Sequence, residues 1–152
     1  MRVSIAELDQ RLAPQEVKPD GNCLFASAAH GVLAGQEPSA ARVRRLAMSL
    51  RKRTNRLLCG RRGIVGNTQM TGYQILRHYL GARKSIPAYC RRMDRKTEWG
   101  DEPHIVGMSH LLKRHILVYD YVQGETDLLQ LAYGRPGRRR RPPCPPPAAV
   151  WL

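Results

Sequence analysis

The sequence is short of aromatic residues, of acids and of paired cysteines, and each shortage removes a class of reading. Phe, Trp and Tyr make up 6% of the 152 residues, so the core has to be built mainly from aliphatic side chains. The four cysteines, Cys23, Cys59, Cys90 and Cys144, lie far apart and form no Cys-x-x-Cys pair. Neither a zinc ribbon nor a disulfide framework is expected from such spacing. The simplest reading is free thiols in a reducing compartment, cytoplasmic or nuclear. No run of 18 apolar residues exists, so no membrane span and no membrane partner is expected. Residues 1–10 carry acids early and no apolar stretch, which does not fit a signal peptide. Nothing suggests a cofactor, and the histidine spacings match no zinc-binding helix pattern.

Acids number 12 against 26 lysines and arginines, for a net charge of +14. Five of the arginines lie in a tail beginning at Gly134, yet the remainder still has 21 bases against the 12 acids. The body itself is therefore basic, which favours an anionic partner such as nucleic acid or an acidic protein face. The tail from residue 134 to 152 holds four consecutive arginines and six of the 11 prolines. Such a composition predicts a disordered or polyproline-like segment.

Between these limits the chain has the length of one domain. A leader, residues 1–14, offers one short helix from Ser4 to Leu12, with Ser4 and Glu7 fitting a capping box. The body, 15–133, begins with helices. One opens at Cys23 and runs to Ala34 before Gly35. A second spans about Ala40 to Leu58, capped by Ser39, with Val43, Leu46, Ala47 and Leu50 as its apolar stripe. Arg42, Arg44, Arg45, Arg51, Lys52, Arg53 and Arg56 fill its remaining positions. They read first as a solvated face, with a phosphate-binding face as the alternative.

Shorter helices follow from Thr71 to Leu80 and from Ser85 or Pro87 to Met93. A longer one starts at Asp101, with Pro103 in its first turn and Ile105, Met108, Leu111 and Leu112 inward. The period then changes. His115–Val122 and Leu128–Tyr133 are β-rich and are separated by a turn at Gly124-Glu125. Helices first and strands last predict an α+β fold with a small sheet.

The stretch with the most chemistry is Pro19-Asp20-Gly21-Asn22-Cys23-Leu24-Phe25. Asp-Gly-Asn is turn chemistry, because Gly21 tolerates positive φ and the flanking side chains bond their own backbone. Cys23 then falls in the first turn of a helix, where amide dipoles favour a thiolate and lower a thiol's pKa. Turn amides beside it suit a tetrahedral oxyanion. The plainer alternative is an inert cysteine buried on an apolar helix face.

Asp20-Gly21-Asn22-Cys23-Leu24-Phe25 closely resembles the nucleophile motif of the ovarian-tumour (OTU) family of cysteine deubiquitinases. A second block follows in the same order as that family's middle signature: Tyr89, Met93, Trp99-Gly100, Ile105, Met108, Ser109 and Ile116–Tyr119. The likeness covers roughly residues 15 to 133. It implies an OTU-like fold of helices packed on a small sheet, with Cys23 as nucleophile, Asp20 shaping the oxyanion loop, and Gly21 and Asn22 offering backbone donors. It also implies a partner, ubiquitin or a ubiquitinated protein, and cleavage of the bond after ubiquitin's C-terminal glycine.

One part of the resemblance is missing. The family places its general-base histidine after the final strand, followed by an aromatic residue, and here no histidine follows His115. That region reads Gly134-Arg135-Pro136-Gly137. His30, seven residues beyond Cys23 on one helix, is about 10 Å away at the helical rise and out of hydrogen-bond reach. His104, His110 and His115 read as surface or packing residues, and His78 lies on a basic helix with no evident partner, so no general base is assigned.

Three functions follow from these readings: a deubiquitinase weakened or silenced by the lack of its base, a non-catalytic ubiquitin-binding relative, and a basic protein associating with nucleic acid through the second helix and tail.

Overall fold

The computed structural model describes residues 2–4, 15–66, 68–82, 84–121, 127–134 and 150–151. Among the described residues five helices precede a hairpin: α1 (Cys23–Val32), α2 (Ala40–Cys59), α3 (Gly72–Leu80), α4 (Ile86–Met93) and α5 (Glu102–Leu112). The hairpin is β2 (Ile116–Tyr121) and β3 (Asp127–Tyr133), antiparallel with Ile116 opposite Tyr133 and Tyr121 opposite Leu128. Two short strands complete the sheet. β1 (Arg2–Ser4) pairs antiparallel with β3, and β4 (Val150–Trp151) pairs parallel with β2, giving the order β1-β3-β2-β4. The expected α+β class and late hairpin are present, while β1 departs from the expected order by preceding the helices.

Local chemistry explains most helix starts. The Ser39 hydroxyl accepts the Arg42 amide at 3.3 Å, and Ser85 accepts that of Ala88 at 3.4 Å. Thr71 and Gln74 form a reciprocal capping box, and Asp101 with Pro103 opens α5.

The long α2 is the spine. Its first half joins α1, α5 and β2 around Leu24, Phe25, Ala28, Ala29, Val43, Ala47, Leu50, Ile105, Met108 and Val118. Its last turns carry Leu58 into a second cluster with Leu76, Ile86, Tyr89 and Met93. As expected, the interior is mostly aliphatic.

Two expectations need correction. Cys59 and Cys90 are not free thiols but form a disulfide joining the end of α2 to α4. The two lie 31 residues apart, a spacing that announces nothing, and only the packing of α4 beside α2 brings them together. Arg51 does not belong to a solvated face. It is 1% exposed and sits with Ala47, Leu50, Thr54 and Leu58 on the inward side of α2.

Ser4 is the last residue of β1, and residues 5–14 of the expected leader helix lie outside the described residues. So does the arginine- and proline-rich run of the expected tail, from 135 to 149. Among the described residues no helix is long and apolar enough to cross a membrane, and no cluster of His, Cys, Asp or Glu suits a metal ion.

Candidate active site

The turn before α1 is closed by its own groups. The Asn22 amide donates to Asp20 Oδ1 at 2.8 Å, the Cys23 amide to the Asp20 carbonyl at 3.0 Å, and the Ala26 amide to the Asn22 carbonyl at 2.9 Å. Asn22 is therefore the N-cap residue and Cys23 the first residue of α1. Asx chemistry makes the turn, as the residue types suggested. Among the described residues the Gly21 amide has no such bond, so of the two donors expected from the turn, one is open there and one is held by Asp20.

Gly21 is needed for a different reason from the one its turn suggested. Its φ is not in the left-handed region. A Cβ at this position would instead fall 2.8 Å from the Glu98 amide nitrogen and closer still to the Thr97 carbonyl. The connection between α4 and α5 lies directly on the turn. Gly100 repeats the device one step on, since a Cβ there would meet Leu24 Cδ2 at 2.5 Å. Trp99 stands 59% exposed beside it.

Arg51 holds these two segments together. Its Nε donates to Asn22 Oδ1 at 3.0 Å, and Nη1 donates to the carbonyls of Met93 and Arg95 at 3.0 and 2.9 Å. Nη2 donates to the carbonyls of Gly21 and of Glu98, the latter at 2.6 Å. The guanidinium lies 4.6 Å from the centre of the Phe25 ring. Burial pulls its pKa below the ordinary arginine value, while the charges of Asp20, Cys23 and Glu98 oppose that shift. Sequence reading missed this residue among its basic neighbours. The signal was its place in the inward series 47, 50, 51, 54, 58.

Cys23 is 8% exposed. Burial pushes its thiol above the ordinary value and outweighs the pull of the Leu24 amide. The Asp20 carboxylate adds to the rise, and the Arg51 charge acts against it. The expected lowering by amide dipoles is therefore present but is not the net result, because desolvation of a buried thiolate is the larger effect.

None of the five histidines hydrogen-bonds or pairs with Cys23. His30 is half-buried on α1, and His78 and His115 are exposed. His110 Nδ1 accepts the Gly66 amide at 2.7 Å. His104 is wholly buried, with Nδ1 2.6 Å from Asp101 Oδ1. The two groups share one hydrogen, and the ring's tautomer sets which of them donates. Tyr89 also donates its hydroxyl to Asp101, at 2.7 and 2.8 Å to its two oxygens. The His104 ring meets that of Phe25 edge-on, with centres 5.6 Å apart, and its Nε2 is buried without a partner.

At the end of β3, Gly134 has φ +100° and presses on Ser109, whose hydroxyl donates to the carbonyls of Arg114 and Tyr133 at 2.6 and 3.1 Å. A Cβ on residue 134 would collide with that hydroxyl, so the position admits no larger side chain as it stands.

The pattern describing OTU-like cysteine proteases matches residues 18–144. Among solved structures, the OTU domain of OTUD1 is similar with a TM-score of 0.63 and 18% identity, over 97% of this chain and 82% of that one. The viral OTU domain protease of Dera Ghazi Khan virus gives 0.61 and 19%, over 90% and 73%. That of Taggert virus gives 0.61 and 16%, over 90% and 74%. At these identities the likeness is one of fold. No curated protein matches the sequence.

Proposed function

The chain belongs to the OTU-like cysteine protease family, and we propose that it is a ubiquitin-directed member in which Cys23 is the attacking atom, slowed by the lack of an imidazole base. The observation that carries this reading is the position of the sulfur. It sits on the first residue of α1, with the Leu24 amide directed at it and the Asp20–Asn22 turn alongside.

In the reaction the sulfur adds to the carbonyl carbon of the bond after ubiquitin's last glycine. The C–N bond breaks, the amine leaves as it takes up a proton, and water hydrolyses the thioester. Because Cys23 has no histidine partner, the thiol must lose its proton to solvent. Absence of base assistance costs about 10²–10⁴ in rate. The same absence, with the thiol held protonated by burial, favours a second reading: a scaffold that binds ubiquitin without cleaving it.

Ubiquitin carrying a C-terminal electrophile separates the two. Slow labelling that disappears in Cys23→Ala supports the first reading. Binding that survives Cys23→Ala without labelling supports the second. Neither labelling nor binding by folded protein overturns both.

A further inference from the structure

We propose that Arg51 is a positioning residue for the Cys23 reaction: it holds the Gly21–Asn22 peptide with its carbonyl turned inward, and so fixes the Asp20–Asn22 turn from which Cys23 enters α1. This inference rests on the reading of Cys23 as nucleophile. In a planar trans peptide, C=O and N–H point in opposite directions. The Gly21 carbonyl accepts from Arg51 Nη2 in the interior, and the Asn22 amide of the same peptide points away, to Asp20 Oδ1. A flipped peptide would lose both bonds at once and set the Gly21 carbonyl against the Asp20 carboxylate, undoing the turn directly before Cys23.

The residue type fits this task. Five acceptors surround the side chain, four of them main-chain carbonyls: those of Gly21, Met93, Arg95 and Glu98. The fifth is Asn22 Oδ1. A guanidinium offers five donors in a rigid plane, whereas an ammonium offers three from one point. Arg51→Lys therefore keeps the charge but leaves acceptors on both segments unmet. The side chain is also the only one among the described residues that hydrogen-bonds both the turn and the α4–α5 connection. Restraint on the turn thus comes from α2, a rigid element of the core, in addition to the bonds Asp20 makes within the turn.

The test compares Arg51→Lys with Asn55→Ala. Asn55 lies one helical turn further on and donates to the Cys90 carbonyl and the Asp94 carboxylate, so it braces the same neighbourhood without touching the turn. Labelling by the ubiquitin electrophile is resolved into a saturating rate and a half-saturating concentration. Hydrogen exchange is followed at the Asn22 and Leu50 amides.

Arg51→Lys is expected to lower the saturating rate about 10- to 100-fold with little change in half-saturation. It should speed exchange at Asn22 far more than at Leu50, and Asn55→Ala should do neither. An unchanged saturating rate in Arg51→Lys, or an equal fall in Asn55→Ala, overturns the proposal. If Arg51→Lys does not fold, Asn22→Ala removes the Nε contact alone, and the same selective change is required of it. If the wild type is not labelled at all, the nucleophile reading fails first. Exchange at Asn22 then decides separately whether Arg51 holds the turn.

Discussion

Replacing Gly21 by Ala and by Asn tests why this glycine is needed. A Cβ at residue 21 would stand 2.8 Å from the Glu98 nitrogen and nearer still to the Thr97 carbonyl, where ordinary contact begins at 3.4 Å. Main-chain atoms have to move, and overpacking of this kind costs about 1–3 kcal/mol. Against it, removing a glycine's freedom in the unfolded chain returns about 0.4–1 kcal/mol. The net expectation is a loss of about 1–2 kcal/mol, which lowers Tm by about 2–8 °C in a domain of this size.

Asn discriminates between causes. It enters left-handed backbone more readily than Ala, so it would be the milder change if φ were the reason for the glycine. Here space is the reason, and Asn should be at least as harmful as Ala. Gly35, with φ +81° and no atom within 4 Å of its Cβ position, is the internal control, where Asn should outperform Ala. Thermal and urea denaturation of the four variants decide it. If Gly21→Ala matches the wild type in stability, or Gly21→Asn is the milder of the two, the close-approach argument is wrong.

Three further outcomes follow. Reducing the Cys59–Cys90 bond, or replacing both residues by Ser, should cost about 3–4 kcal/mol in urea unfolding, as expected for closing a 31-residue separation; no difference between oxidised and reduced protein would contradict it. Tyr89 is held far above its ordinary value, first by burial and then by its bond to Asp101. Its phenol stays neutral when folded while the unfolded chain ionises near pH 10, so stability should fall as pH rises past about 10. Tyr89→Phe should flatten that fall while costing about 1.5–3 kcal/mol at pH 7, because Asp101 loses a donor; urea midpoints at the two pH values measure both. Arg42, Arg45, Lys52, Arg53 and Arg56 are exposed along α2 without an ion pair among the described residues. If four to five of them meet phosphates, duplex DNA affinity should fall with salt at a logarithmic slope of about −4, reduced in Arg45→Glu with Arg53→Glu. Salt-insensitive binding, or none, would remove nucleic acid as a partner of this face.

The elements that could be read from the residues are those that bury a pattern. Turn chemistry at Asp20–Asn22 followed by Leu24, Phe25, Ala28 and Leu33 places Cys23 at a helix start, and the structure agrees. The switch of period after His115 finds β2 and β3. β1 and β4 were not legible, because strands of three and two residues pair through main-chain groups and leave no alternation to detect. Arg51 was hidden because charge argued for the surface more strongly than its helical position argued for the interior. Acceptors contributed by main-chain carbonyls have no signature in residue types, so neither its partners nor the segment they belong to could be foreseen. The net direction of the Cys23 shift depended on how deeply the sulfur is covered, which the turn motif does not encode.

The order of the sheet also bears on how the molecule assembles. Arg2 lies opposite Leu129 and Val118 beside Val150, so pairing at both rims joins segments far apart along the chain. Contacts of such separation form late and slowly, whereas α1 and α2 need only near neighbours. During synthesis the first strand must therefore wait, its hydrogen-bonding groups turned to water, until the hairpin that receives it has left the ribosome.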